Sequence, residues 1–491
     1  MFNYLIRINS SVKPTLFILA AAACFLSFPG HAQAASLSFE SAWQTVQEKS
    51  DAIAAQKDNL QRRQSLHRAS MDLNLPKVSL TGNYTRLDDN ITVSGDQIIE
   101  STGAGGQAAL AELQGVLGHL FPPAAVAGLS SSMASLTSLA STLEEQDIFT
   151  SSIRAVWPVF TGWKITAAQE ASLGRTDEAR SLLDMTRQAK FEDLSKFYFG
   201  VALAQQVVDT RIAVEKGLCR HLDSARKMEA QGQIAKVERL QAEASLSKAE
   251  VDRKKAGHDL EIARLALARL LKSNSPFTLG TPLFASPSLA PLPEYLKKTL
   301  AAYPGLSLLE AREKQVQSLI KAEKSAYYPQ VFLYGNYSLH ERDSLTGQMT
   351  PEWLMGASIN IPVFDNSGRR HKVLAAGQAL SQVRRLRLQA ESDLSVLVEK
   401  TYRQAEQALE EYYGLNKSME LANENLKLRK TAFSQGLSTS LDVVDAQLYL
   451  AGIITRKSAA QFNFVLSLSR LLALSCQMDR FSQYTHNDAH I

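Results

Sequence analysis

Two stretches of this 491-residue chain, 164–230 and 370–434, contain no proline and carry apolar residues at three- and four-residue steps. Phe191, Leu194, Phe197, Tyr198 and Val201 mark the first, and Leu394, Leu397 and Val398 the second, among Gln, Lys, Arg and Glu. That spacing predicts helices packed along a narrow apolar seam. At about 1.5 Å per residue each would run on the order of 100 Å, longer than any compact domain is wide. Each stretch ends at a Gln-Gly pair, Gln231-Gly232 and Gln435-Gly436, where glycine suits the left-handed residue that closes a helix. The turns 231–234 and 435–438 are therefore expected to be tips. From them helices return over 234–272 and 441–475, roughly 55 to 60 Å each.

The long helices belong to a plan that is written twice. "PKVSLTGNY" (Pro76 to Tyr84) returns as "PQVFLYGNY" (Pro329 to Tyr337); "PVF" at Pro158 returns at Pro362, the tip "QG" at Gln231 returns at Gln435, and "RLL" at Arg269 returns at Arg470. Landmarks in one order indicate an internal twofold repeat, 35–273 and 294–476, joined by a Pro-rich linker at 274–293 and followed by a tail at 477–491. The offset falls from 253 (76 to 329) to 204 (158 to 362), so the first half holds 49 extra residues between its two strand-like segments. An insertion of that size, placed at 91–147, belongs in a surface loop. Leu110, Leu113, Leu117 and Leu120 give it helical spacing.

After Pro76 the apolar period changes from about 3.6 to two, which predicts strands. Hairpins are expected at 75–90 with 148–160 and at 329–340 with 353–364. Val78, Leu80, Tyr84, Phe149, Ile153, Trp157, Val331, Leu333, Tyr337, Trp353, Met355 and Ile359 fall on one face; Ser79, Thr81, Ser152, Arg154, Asn336 and Ser338 fall on the other. Segments of about ten residues with aromatics near their ends (Tyr84, Trp157, Tyr337, Trp353) have the length and chemistry of strands that cross a membrane. No uncharged apolar stretch after residue 34 is long enough for a membrane helix.

Residues 1–34 read as a cleaved export signal: Arg7 and Lys13, an apolar run from Leu16 to Phe28, then Ala32-Gln33-Ala34. Cys24 in "AAAC" loosely resembles a lipid attachment site, but "FLSF" continues the apolar run, and cleavage after Ala34 removes it. With Arg7 and Lys13 gone, 51 of the 53 basic residues face 49 acidic ones, a balance that gives nucleic acid no basic surface. Cys219 precedes its tip by 13 residues and Cys476 follows its tip by 40, roughly 20 Å and 60 Å along the helices. That separation excludes a disulfide and predicts two unpaired, buried thiols. The histidines are scattered, no HExxH, GxSxG or phosphate-binding glycine loop is present, and no catalytic, metal or cofactor site is expected.

On the strand motif "P-x-V-x-L-x-G-x-Y", on "I-x-x-P-V-F-D-N-S-G-R" (Ile359 to Arg369) and on "G-L-S-T-S-L-D-V-V-D-A-Q" (Gly436 to Gln447), the chain resembles the TolC family of outer-membrane efflux proteins over essentially its whole mature length. The resemblance implies an α+β membrane protein in which four strands per chain close as a homotrimer into a 12-strand barrel continuous with a 12-helix periplasmic tunnel. It implies an outer-membrane exit duct of a tripartite efflux or type I secretion system, working with a periplasmic adaptor and an inner-membrane transporter. By the same resemblance Asp442 and Asp445, with Glu238 from the first half, ring the periplasmic constriction. Gln231, Gly232, Gln435, Gly436, Leu437 and Ser438 are then the adaptor-facing tip. Relatives latch that tip with a Tyr and a basic residue where this chain has Phe433 and Ser438, so a different latch is expected. The rival readings are a soluble periplasmic coiled-coil adaptor and a secreted enzyme on a helical scaffold.

Overall fold

The computed structural model describes residues 35–94, 97, 101, 108, 111–112, 140–273, 275–286, 289–340, 351–364 and 366–486. The expected signal, Cys24 and the four leucines of the insertion lie outside these residues. Helices dominate. A short helix α1 (Phe39–Lys49) and α2 (Asp51–Met71) lead to the first strands, and α3 (Lys164–Ala230) and α4 (Lys236–Leu271) form the first helical hairpin. In the second half α5 (Leu292–Ala302) and α6 (Pro304–Lys324) correspond to the first pair, while α7 (Arg369–Ser434) and α8 (Ser440–Leu474) form the second hairpin. A last turn, α9 (Phe481–His486), ends the described chain. The helices of the two halves have 11 and 11, 21 and 21, 67 and 66, and 36 and 35 residues. At about 1.5 Å per residue the long pair spans about 100 Å and the return pair about 54 Å.

Their seams have the periodicity of a coiled coil. Ala242, Ala249 and Ala256 on α4 are buried at seven-residue intervals, and Leu394, Val398, Thr401, Ala405 and Ala408 on α7 are buried at alternating steps of four and three. Small residues at these positions let neighbouring helices approach closely. The helix α3 packs against α2, α4, α6 and α8, so it is the spine of the chain.

The widest core lies where the return helices end. Phe39, Phe191, Tyr198, Phe199, Phe284, Phe464 and Phe481 are buried there, with Phe39 edge-on to Tyr198 at 5.5 Å and stacked on Phe199 at 5.4 Å. Tyr198 donates its hydroxyl to the Leu37 carbonyl (2.7 Å) and accepts from the Thr281 amide (2.9 Å), which satisfies its polar end inside an aromatic cluster. Leu37 ends β1 (Ala35–Leu37) and Thr281 follows β6 (Phe277–Leu279), two strands that pair in parallel. The segment expected as a linker at 274–293 is therefore folded into the core, with Phe284, Ala285 and Ser286 buried.

Strands β2 (Lys77–Arg86), β5 (Asp147–Phe160), β7 (Gln330–His340) and β8 (Trp353–Asn360) form one antiparallel sheet in the order β2-β5-β7-β8. Between β2 and β5 the chain continues into a second hairpin, β3 (Ile91–Ser94) with β4 (Ala140–Glu144), at the two ends of the insertion. Strand β8 stops at Asn360 rather than 364, because Pro362 has no amide to continue the ladder. Its counterpart Pro158 is accommodated in β5 beside a bulge between Pro158 and Phe160. The register aligns Leu80, Ile153, Tyr337 and Trp353 in one row across all four strands, and Ser79, Arg154 and Asn336 in a row of the opposite parity. One face is thus apolar and exposed, and the other is mostly polar. Ile148, Val156, Phe332, Tyr334 and Leu354 are apolar exceptions in the polar-parity rows. No helix among the described residues is long and apolar enough to cross a membrane.

Cys219 and Cys476 are unpaired, as expected from their separation, but both are exposed, not buried. Around Cys219 on α3 the buried positions are Val214, Gly217, Leu218, His221 and Leu222, so residue 219 turns outward on the next step of the helix. Cys476 stands at positive φ (56°) just past α8, with Sγ donating to the Ala302 carbonyl and accepting from Gln188 Nε2, both at 3.2 Å.

Candidate functional site

The distal ends of the two hairpins lie together and hold a polar network that joins them. Both turns close alike. The amide of Gly232 bonds the Glu229 carbonyl and that of Gln233 the Met228 carbonyl; Gly436 bonds Phe433 and Leu437 bonds Ala432 in the same pattern, at 2.8 to 3.0 Å. This double closure requires a left-handed residue, met by Gly232 (φ 75°) and Gly436 (φ 68°). Gln231, Gly232, Gln435, Gly436 and Leu437 are exposed at the extremity.

Past the second turn, Thr439 and Asp442 form a capping box. Thr439 Oγ1 accepts from the Asp442 amide, while Asp442 Oδ2 accepts from the Thr439 amide (3.0 Å), from Thr439 Oγ1 (2.8 Å) and from Ser438 Oγ (3.0 Å). The Thr439 donors first, then Ser438 and finally Arg429, whose Nη1 lies 3.3 Å away, hold the Asp442 carboxyl down to about 2. This carboxylate is an anchor of its own helix end. Asp445, one turn further on, is exposed.

Glu238 reaches across from the first hairpin. Its Oε2 accepts from the Ser440 amide at 2.6 Å, so a carboxylate of α4 caps the N-terminus of α8. Ser440 is fully buried, and its Oγ shares a 2.6 Å hydrogen bond with Nε2 of His221, itself only 6 % exposed on α3. The His221 ring packs on Phe433 with centroids 4.5 Å apart. Phe433, 3 % exposed, sits in a cluster with Leu222, Ala225, Met228, Ala242 and Val443. Burial, then the charge of Lys430, lowers the His221 pKa against the opposing pull of Glu238. His221, Ser440, Glu238 and Phe433 thus join α3, α4, α7 and α8 at the tip.

The sequence reading places Glu238 and Phe433 at the tip but not in this network. Glu238 is engaged with Ser440, Ser438 bonds within its own hairpin, and Phe433 is a buried contact to the other one. His221 and Ser440 carry no motif that would single them out, whereas Thr439-x-x-Asp442 has the capping-box spacing. Of the strand aromatics, Tyr84 pairs with Phe149 and Tyr337 with Trp353 toward the end of the sheet remote from the long helices, while Trp157 pairs with Leu333 nearer to them. All four are exposed on the apolar face. No group of His, Cys, Asp and Glu suited to a metal ion occurs among the described residues.

The arrangement can be set beside known proteins. CzcC, the cobalt-zinc-cadmium resistance protein of Cupriavidus metallidurans, is 27 % identical over 221 residues, a match spanning 44 % of this chain and about half (51 %) of that relative. Among solved structures the fold is similar to CusC (TM-score 0.69, 13 % identity, 89 % of this chain and 91 % of that one). It is also similar to the outer membrane protein VceC of Vibrio cholerae (TM-score 0.67, 15 % identity, 89 % and 96 %) and to the open state of the Neisseria gonorrhoeae outer membrane channel MtrE (0.67, 18 %, 90 % and 89 %). The sequence profile described as "Outer membrane efflux protein" matches residues 120–272 and 295–475, most of the chain, and with the two helical hairpins and the four-stranded sheet it establishes that this protein belongs to the outer membrane efflux protein family.

Proposed function

We propose that three copies of this chain form an exit duct through the outer membrane, with the sheets closing a 12-strand barrel and the helical hairpins a 12-helix periplasmic tunnel. The observation that carries this reading is the sheet. It has an exposed apolar face and a mostly polar one, and β2 and β8 each keep one edge unpaired among the described residues. Hydrocarbon does not tolerate open strand edges, so closure must come from other copies. Exposed Val237, Leu240, Val251 and Ile262 on α4 and Leu421 and Leu428 on α7 supply apolar surface for the same contacts.

At the tip, Asp445 from each copy would line the constriction, with Asp442 and Glu238 bracing the helix ends behind it. The exposed turns at Gly232 and Gly436 suit contact with a periplasmic adaptor, which links the duct to an inner-membrane transporter. Likeness to CzcC makes divalent metal cations the first cargo to test, by growth of a deletion strain on zinc, cobalt and cadmium. The duct itself is tested by planar-bilayer conductance. Wild-type protein is expected to give cation-selective steps, and Asp445→Asn to lose that selectivity with the fold intact. Selectivity unchanged by Asp445→Asn would remove the residue from the constriction, and absence of channels would favour the adaptor reading.

A further inference from the structure

The junction between the sheet and α3 contains a backbone conformation that sequence economy would avoid. Trp163, the residue before α3, has φ 67°, in the left-handed region that residues with a Cβ rarely occupy. The matching position before α7 is Gly368, at φ 69°, where no such strain arises. A bulky residue kept in a strained conformation suggests a use for its ring.

The surroundings identify that use. Beside the bulge after Pro158, Phe160 is paired with Val331, in the row that continues to Ile359 on the exposed apolar face. Trp163 lies edge-on to Phe160 at 5.1 Å and to Tyr328 at 4.8 Å, and both Trp163 (52 %) and Tyr328 are exposed. The backbone is tight here, since a Cβ on Gly162 would stand 2.7 Å from the Ser325 carbonyl. Lys164 and Lys324 flank the cluster, both exposed and without an ion-pair partner among the described residues. Across 157–166 and 320–328 the only carboxylate is Glu323, half-buried beside Lys324. Arg369 lies over the Tyr327 ring at 5.0 Å and donates to the Ala326 carbonyl, which fixes this segment against the start of α7. β5 and β7 are the two central strands, so closure through β2 and β8 would place the joining edges away from the strand ends that carry this cluster.

We infer that Phe160, Trp163 and Tyr328, with Lys164 and Lys324, form a binding site for an anionic glycerophospholipid headgroup at the leaflet facing the long helices. The rings occupy the boundary between hydrocarbon and water, and the lysines reach the phosphate with their stems along the apolar surface. Uncompensated lysines at such a boundary select anionic over zwitterionic headgroups. The inference rests on the membrane-spanning reading of the sheet.

The test uses full-length protein in vesicles of equal phosphatidylglycerol and phosphatidylethanolamine, checked first for channel activity, then extracted and weighed intact with its retained lipid. Wild-type protein is expected to retain phosphatidylglycerol preferentially. Lys164→Gln with Lys324→Gln should lower that preference, about fivefold per lysine, and Trp163→Gly should lower total retention while channels persist. Lys254→Gln with Lys255→Gln, on α4, should change neither. Active channels without phosphatidylglycerol preference, or with a preference indifferent to the junction lysines, would overturn the lipid site and leave the duct standing. Absence of channels would overturn both.

Discussion

The two tips use one closing turn and opposite means of holding it. Three residues before its glycine, the first tip has Glu229 and the second Phe433; three residues after, the first has Ala235 and the second Thr439. The first is fastened by an ion pair, Glu229 with Arg239 at 2.6 Å, near the surface. The second is fastened by a buried ring against His221 and by its own capping box. The carboxylates at matching positions diverge for the same reason. Asp442 has a hydroxyl at Thr439 to pair with and turns back on its own helix, whereas Glu238 finds only Ala235 and caps the other half's helix instead. A duplicated turn has thus become asymmetric, and the asymmetry couples the hairpins.

The largest effect that could break this comparison is loss of the ring. Phe433→Ala should cost about 3 kcal/mol or more of local stability by leaving a cavity under His221. Glu229→Ala, at the matching place in the first tip, should cost below about 1 kcal/mol, because a partly exposed ion pair contributes little. Hydrogen exchange of the amides at 431–441 and 227–237 reads the two directly. Equal protection losses would mean that the tips are held alike.

Acidification is the next lever. Burial and Lys430 disfavour the charged form of His221, so its folded pKa lies below the ordinary 6.5. A released tip therefore binds the proton more readily than the packed one. The packing is complete above about 6.5 and weakens as pH falls toward the folded value. Facing groups are Lys430 on α7, Glu238 on α4 and Ser440 with the Asp442–Arg429 pair on α8 and α7. Asp442, at about 2, titrates too low to contribute in this window. Protection factors at 438–444, taken against the intrinsic exchange rate at each pH, should fall between pH 7 and 5, and His221→Phe should flatten that fall. A profile unchanged in the variant would assign the effect to another group.

Much of this molecule is legible in its sequence, for physical reasons that differ by region. The long helices are visible because proline is absent over 164–230 and 370–434, and the tips because a left-handed residue at a helix end favours glycine. The strand faces follow from an apolar period of two. The pairing of β1 with β6 is hidden, since three-residue strands joined across 242 positions leave no periodic signal. Burial of the cysteines is misjudged because a seam on a long helix is narrow, and one step of about 100° moves Cys219 from Leu218's side to solvent. At the tip, the spacing of Thr439 and Asp442 is readable as a capping box, but resemblance directs that carboxylate to the pore. The His221–Ser440 contact spans 219 residues and depends on how two hairpins meet.

The smallest expected effect sharpens the asymmetry most. Glu238→Gln should weaken the cap on Ser440 and cost about 1 kcal/mol, and Thr439→Ala about the same. Ala235→Thr tests why Glu238 crosses at all. It would recreate Thr-x-x-Glu at the start of α4, the spacing of the box that Thr439 and Asp442 form, and offer Glu238 a local partner. If the missing hydroxyl is what sends Glu238 across, Ala235→Thr should protect the amides of residues 235 and 238 and expose that of Ser440, with total stability changed by only a few tenths of a kcal/mol. A protected Ser440 in that variant would mean that Glu238 is held by His221 and Ser440 themselves, and that the coupling between hairpins is the stronger preference of the two.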